Sequence, residues 1–103
     1  MSAPAVHLAA SDHLVLRALG AAFEEESVPL IIEPGDGDAL IAARNAARRS
    51  PLGIGIGVDA LRIVVALSTG PIEPYLERPL GEARALGHDA ARLAARRPLE
   101  VSP

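Results

Sequence analysis

Three consecutive carboxylates, Glu24, Glu25 and Glu26, lie within Phe23-Glu-Glu-Glu-Ser-Val-Pro-Leu30 and are the residues of this chain best suited to chemistry. Grouped hard oxygen donors can ligate a divalent cation or pair with basic groups on another protein. Their place is unusual, because the surrounding periodicity ends an amphipathic helix there, and a helix carboxyl terminus already carries partial negative charge. With no basic neighbour in the local sequence, the run breaks a local rule without local compensation, which marks a candidate functional site. The competing reading is a solvated helix end.

Other motifs carry less. Gly53-Ile-Gly-Ile-Gly57 mimics half of a dinucleotide fingerprint, but it lies inside a strand that leads to another strand rather than opening a helix. Its glycines are better explained by close approach of a neighbouring element. His7, His13 and His88 lack metal-ligand spacing and read as surface or packing residues. No nucleophile stands beside a base, so catalysis by this chain is not expected. An enzyme using Glu24 to Glu26 with His13 or His88 as acid and base would need those groups to converge in a cleft with a shifted pKa. Arg44, Arg48 and Arg49, and again Arg92, Arg96 and Arg97, form basic patches near helix carboxyl ends, where they offset the helix dipole and can meet acidic groups of a partner.

The elements that position these groups alternate along the chain. Pro4 to Ala9 reads as a first strand, and Ser11 and Asp12 as caps of a helix running to about Glu26. Leu14, Val15, Ala18, Leu19, Ala22 and Phe23 form its apolar stripe. Val28 to Ile32 suits a buried strand, and Pro34-Gly-Asp-Gly-Asp38 a turn that caps a second helix from about Asp38 to Arg49, with Leu40, Ile41, Ala43 or Arg44, and Ala47 on adjacent faces. That helix stops before Pro51. Leu52 to Val58 and Leu61 to Leu67 are strands joined tightly at Asp59-Ala60, Thr69 to Pro79 is a loop or poor edge strand, and a last helix spans about Gly81 to Arg97, weakened by Gly87. The expected fold is α/β: one three-layer-like domain over 1–103, a mixed sheet with flanking helices in the order β-α-β-α-β-β-α.

Composition narrows the function. The chain has 103 residues, of which half are apolar, but only Phe23 and Tyr75 are aromatic, so its core must be Ala, Leu, Ile and Val. All ten basic residues are Arg, and the net charge of −3 argues against a phosphate-backbone binder, so nucleic acid is not an expected partner. There is no cysteine, hence no thiol nucleophile or Cys-ligated metal. No apolar run approaches a membrane span and the start lacks a signal-peptide pattern, so no membrane association and a cytoplasmic location are expected.

Taken together, Phe23 to Leu30, Ala46-Ala-Arg-Arg-Ser-Pro-Leu52 followed by Gly55-Ile56 and Asp59, and Gly87-His-Asp-Ala-Ala-Arg-Leu93 closing with Pro98-Leu99 resemble the small (beta) subunit of the diol and glycerol dehydratase reactivating factors. The order, spacing and total length all fit, over most of the chain. The resemblance implies a fold like the dehydratase medium subunit. It also implies a non-catalytic partner of a large actin-like ATPase subunit that binds the ATP or ADP. The complex would act on inactivated adenosylcobalamin-dependent dehydratase, exchanging subunits so that damaged cobalamin leaves. Association with a bacterial microcompartment is left open. The resemblance makes Glu25 a Mg²⁺ ligand at the boundary with the large subunit, with Glu24, Glu26, Pro29, Arg48 and Arg92 as interface candidates. Without that subunit, self-association through the same surface is expected. The pattern departs at Ser27, where a glycine is usual, at His88-Asp89 in place of an amide pair, and in Thr69 to Pro79. The other reading is a small α/β binding module, anticodon-binding-like or receiver-like, which would need a basic groove or an acidic phosphorylation pocket.

Overall fold

A computed structural model describes residues 4–35 and 37–96. Asp36 of the expected turn, Arg97 of the second basic patch and the Pro98-Leu99 segment lie outside the described residues. Strand β1 is Val6–Ala9. Helix α1 follows at His13–Glu25, started by Asp12, whose carboxylate accepts from the Val15 amide at 3.0 Å. Its buried face is Val15, Leu19, Ala22 and Phe23. Leu14, expected in that stripe, is instead 78% exposed, since it falls one residue ahead of the i, i+4, i+8 row that meets the core.

The carboxyl end of α1 is closed by a Schellman motif, in which the Val28 amide donates to the Phe23 carbonyl at 3.0 Å and the Ser27 amide to the Glu24 carbonyl at 3.1 Å. Ser27 holds the left-handed position at φ 59°, where glycine would be unstrained. Because the cap uses Val28, strand β2 begins late, at Leu30–Glu33. It is an edge strand rather than the buried strand expected, with Ile31 and Ile32 about half exposed.

Helix α2 spans Ala39–Arg49 with Asp38 as cap. Strands β3 (Ile54–Val58) and β4 (Arg62–Leu67) form the expected hairpin, β5 (Leu76–Pro79) completes the edge, and a short 3₁₀ turn at Leu80–Glu82 leads into α3 (Ala83–Arg96). The sheet order is β2-β1-β3-β4-β5, with β1 parallel to both β2 and β3 and the remaining pairs antiparallel. Strand alternation divides the core into two faces. Ile54, Ile56, Ile63 and Val65 join Val6, Leu8 and the buried sides of α1 and α3. Val64 and Ala66 face Ala39 and Ala43 of α2. The result is the three-layer α/β domain expected, with α1 and α3 on one face and α2 on the other.

Gly55 and Gly57 are what allow α2 to lie so close. A Cβ built on Gly55 would overlap the Ala43 carbonyl oxygen and the Ala47 amide nitrogen. One on Gly57 would overlap the Ala39 carbonyl oxygen and the Ala43 amide nitrogen. The glycine run is therefore a packing surface for a helix with an alanine face, Ala39, Ala43, Ala46 and Ala47, as its position within a strand implied. Of the residues expected on adjacent faces of this helix, Ala43 and Ala47 take the contact and Ile41 is 62% exposed.

Two carboxylates tie the layers together. Asp59 accepts from the amides of Ala39, Leu61 and Arg62 at 3.0, 2.8 and 3.0 Å, serving both the start of α2 and the β3–β4 turn. The amide bonds, led by Leu61, hold its carboxyl below the ordinary value of 3.8. Glu33 receives Arg49 and then His7, which lower its carboxyl from 4.5. A carboxylate with a depressed folded pKa contributes stability that is present above its unfolded pKa and lost as pH falls through the folded value. The melting temperature should therefore hold level above pH 4.5 and fall below it. A Glu33→Gln/Asp59→Asn double variant, less stable at neutrality, should lose less on acidification than the wild type. Parallel acid profiles for the two proteins would contradict this assignment.

Candidate functional site

The acidic run is compensated, but by tertiary structure rather than by its own sequence neighbours. Helix α3 runs beside α1, and Gly87 meets Ala22 so closely that a Cβ there would come within 2.7 Å of the alanine methyl. Gly87 thus sets the separation of the two helices, a larger role than the weak point expected of it. One residue further on, His88 reaches the end of α1. Its Nδ1 lies 2.7 Å from Glu26 Oε2 and its Nε2 3.1 Å from Glu25 Oε1. Both contacts are hydrogen bonds only when both ring nitrogens carry protons. Arg84 donates to Glu25 Oε2, and Arg92 Nη2 lies 3.2 Å from Glu26 Oε2.

Arg84, His88 and Arg92 are four residues apart, so helical geometry presents them as one basic row along the carboxyl end of α1. The Arg84 hydrogen bond is the main cause of the lowered Glu25 pKa, and the His88 bond the main cause of the lowered Glu26 pKa. Glu25 and Glu26 are therefore firmly ionised near neutrality, which suits them to hold cations and unsuits them as general acids or bases. His88 and the glutamates do converge, as the enzyme reading required, but their carboxyl pKa values move away from the working range of acid–base catalysis.

Of the interface candidates, Glu25, Glu26 and Arg92 are brought together. Glu24 points clear of the row, exposed and without an ion pair among the described residues. Pro29 is exposed on the link to β2, its carbonyl accepting from the Val6 amide at 3.2 Å. Arg48 is exposed on α2, across the sheet from the row, with Asn45 Oδ1 at 3.5 Å. Arg84 was not singled out from sequence. Its i, i+4, i+8 spacing with His88 and Arg92 was the available signal, but that spacing alone does not show what the row faces.

A cation would find at Glu25 a side chain 52% exposed. Among the described residues no three His, Cys, Asp or Glu side chains converge into a metal cage. Glu25 among the described residues offers carboxylate oxygens of the kind a divalent cation takes, without a complete ligand set beside them.

At the opposite end of the sheet, a crevice of about 510 Å³ opens beyond β1 and β3, lined by Ser11, Asp12, Gly35, Gly37, Val58, Asp59 and Ala60. This is where the strand order reverses, a usual ligand position in open α/β sheets. Here, however, Asp12 caps α1 and Asp59 binds three amides, so both carboxylates serve the fold.

Comparison with solved structures finds two proteins of this shape. One, described as "Glycerol dehydratase reactivase", shares 29% identity over 95% of this chain and 97% of its own, with a TM-score of 0.75. The other, "Structure of diol dehydratase-reactivating factor complexed with ADP and Mg2+", shares 30% identity over 96% of this chain and 99% of its own, with a TM-score of 0.73. No curated protein matches the sequence. The model of the family described as "Dehydratase medium subunit" matches residues 3–100, and the chain belongs to that family.

Proposed function

We propose that the chain is the small, non-catalytic subunit of a chaperone-like factor that reactivates adenosylcobalamin-dependent diol or glycerol dehydratase in the bacterial cytoplasm. Its partner is a large actin-like ATPase subunit, which holds ATP or ADP. The observation that carries this reading is Glu25, half exposed at the rim of α1 and held, among the described residues, by the exposed side chain of Arg84 and by His88. The likeness to two reactivating factors over nearly the whole length of both chains supports it.

In this reading the α1–α3 end meets the large subunit, and Glu25 supplies one carboxylate oxygen to a Mg²⁺ whose remaining ligands come from that subunit and water. The metal would neutralise the helix end across the interface. Surface ion pairs of the Arg84 kind contribute little individually, so the carboxylate can be released to another cation. Nucleotide in the large subunit then changes its relative affinity for this chain and for the similarly folded dehydratase subunit, and exchange between them opens a route for damaged cobalamin to leave.

The test is co-expression with the large subunit, followed by size-exclusion chromatography with and without Mg²⁺ and ADP. The wild type should co-elute in a Mg²⁺-dependent complex. Since even residues behind a metal ligand are worth roughly 10–100-fold in metal affinity, Glu25→Ala should raise the Mg²⁺ needed for half-maximal assembly by at least about tenfold, with an unchanged circular dichroism spectrum. Equal Mg²⁺ dependence of variant and wild type would remove the ligand role. Failure of two folded chains to associate under any condition would remove the subunit reading itself.

A further inference from the structure

The two edges of the sheet are finished differently. β5 reads Leu76-Glu-Arg-Pro79, with exposed charges and a proline, features that discourage another strand from pairing. β2 reads Leu30-Ile-Ile-Glu33, with Ile31 48% and Ile32 52% exposed on opposite faces and no such protection at its centre. The amides of Val6 and Ala10 donate to the carbonyls of Pro29 and Glu33, each at 3.2 Å. By the alternation of a strand, Leu30 and Ile32 therefore direct their own amides and carbonyls away from the sheet.

We propose that this edge is a homodimerisation surface, two copies pairing their β2 strands antiparallel about a twofold axis through Ile31. The result is one continuous sheet, five strands from each copy. Residues opposed across an antiparallel pair must lie on the same face, which restricts the register to steps of two. With Ile31 opposite Ile31 of the second copy, Leu30 and Ile32 oppose each other in both directions. These are the residues whose backbone groups point outward, so they form the hydrogen-bonded pairs, while the two Ile31 side chains meet at the closer non-hydrogen-bonded position. These three opposed pairs are all apolar. The next pair outward sets Pro29 against Glu33, which places no like charges together and asks for no amide from proline. Shifting the axis to Ile32 instead sets Ile31 against Glu33, losing two apolar pairs. Shifting it to Leu30 would need a ladder bond from the Val28 amide, which the cap commits to the Phe23 carbonyl, so the strand is self-complementary in one register, as an isologous interface requires. The inference is independent of the reactivase reading and of the Glu25 row.

The chain has no cysteine, so Ile31→Cys introduces its only thiol. The full-length wild type should sediment at twice the chain mass of 10.7 kDa. On mild oxidation Ile31→Cys should form a disulfide-linked dimer at least about tenfold faster than Ile41→Cys, at a position on α2 that is more exposed than Ile31, because pairing raises the local thiol concentration. Ile31→Lys, which opposes two like charges at the axis, should sediment as a monomer. One-chain mass at every concentration up to about 1 mM, the weak end of specific association, would overturn the proposal. So would a dimer that persists in Ile31→Lys, or one that crosslinks no faster through position 31 than through position 41. If Ile31→Lys fails to fold, the comparison of the two cysteine variants decides alone.

Discussion

Gly55→Ala should destabilise the chain by about 3 kcal/mol or more, and Gly57→Ala should do the same. The added methyl has nowhere to go, because the atoms it would strike are the backbone of α2 rather than the tips of flexible side chains. Relief requires the helix to lift from β3 and β4, opening the contact of Ala39, Ala43, Ala46 and Ala47 along its length. Overpacking a core commonly costs about 1–3 kcal/mol, and a helix-wide displacement belongs at or beyond the upper end. At the low end of the roughly 5–15 kcal/mol typical of a domain, where a core of small side chains places this one, that is more than half of what is available. Gly20→Ala is the internal control. It lies within α1 with nothing inside 4 Å of the added Cβ, so it should stabilise the helix by about 1 kcal/mol. Urea unfolding followed by circular dichroism separates the two. A folded Gly55→Ala within about 1 kcal/mol of the wild type would mean that α2 does not rest on these glycines.

Phe23→Ala should be at least as damaging, at about 3–5 kcal/mol, and it should disable the acidic end of α1 along with the fold. Phe23 is 1% exposed and is the largest fully buried side chain of the core. Its neighbours are aliphatic, and the α1–α3 separation is set by the Gly87–Ala22 contact, so the cavity cannot easily close. Its carbonyl also receives the Val28 amide in the cap that fixes where Glu24, Glu25 and Glu26 stand. In a domain of this size such a loss lowers the melting temperature by more than about 12 °C. Phe23→Leu should cost about 1.5 kcal/mol or less and keep the proposed Mg²⁺-dependent assembly with a large subunit. The contrast with Glu25→Ala is informative, since that variant should weaken assembly at unchanged melting temperature. A Phe23→Ala melting temperature within a few degrees of the wild type would show that the core tolerates the cavity.

Much of the architecture was legible because it rests on local rules. Asp12 and Asp38 do cap α1 and α2, and the 3.6-residue stripe of α1 names Val15, Leu19, Ala22 and Phe23 correctly. The β-branched centre of β4 and the glycine-rich β3 pair as expected. Errors fall where a neighbour decides. Ile31 and Ile32 look like core residues, but whether a strand is central or at the edge depends on the order of strands in the sheet, which side-chain pattern does not encode. Which of the adjacent faces of α2 meets the sheet was likewise open, and alanines rather than Ile41 take the contact because β3 presents bare backbone there. Gly87 weakens a helix by propensity, yet here it sets the approach of two helices, a property of the pair.

The sequence by itself determined the elements, their caps, the α/β class and the placement of three carboxylates at the end of a helix, because propensity, periodicity and capping act over a few residues. It also carried the family pattern. Only the tertiary structure decided what those carboxylates meet. Arg84, His88 and Arg92 are separated from Glu25 and Glu26 by more than fifty residues of chain, and they arrive beside them because the sheet folds α3 back along α1 at a distance set by Gly87. Electrostatic contact depends on separation in space, and over such a length of chain that separation is fixed by packing, not by sequence distance.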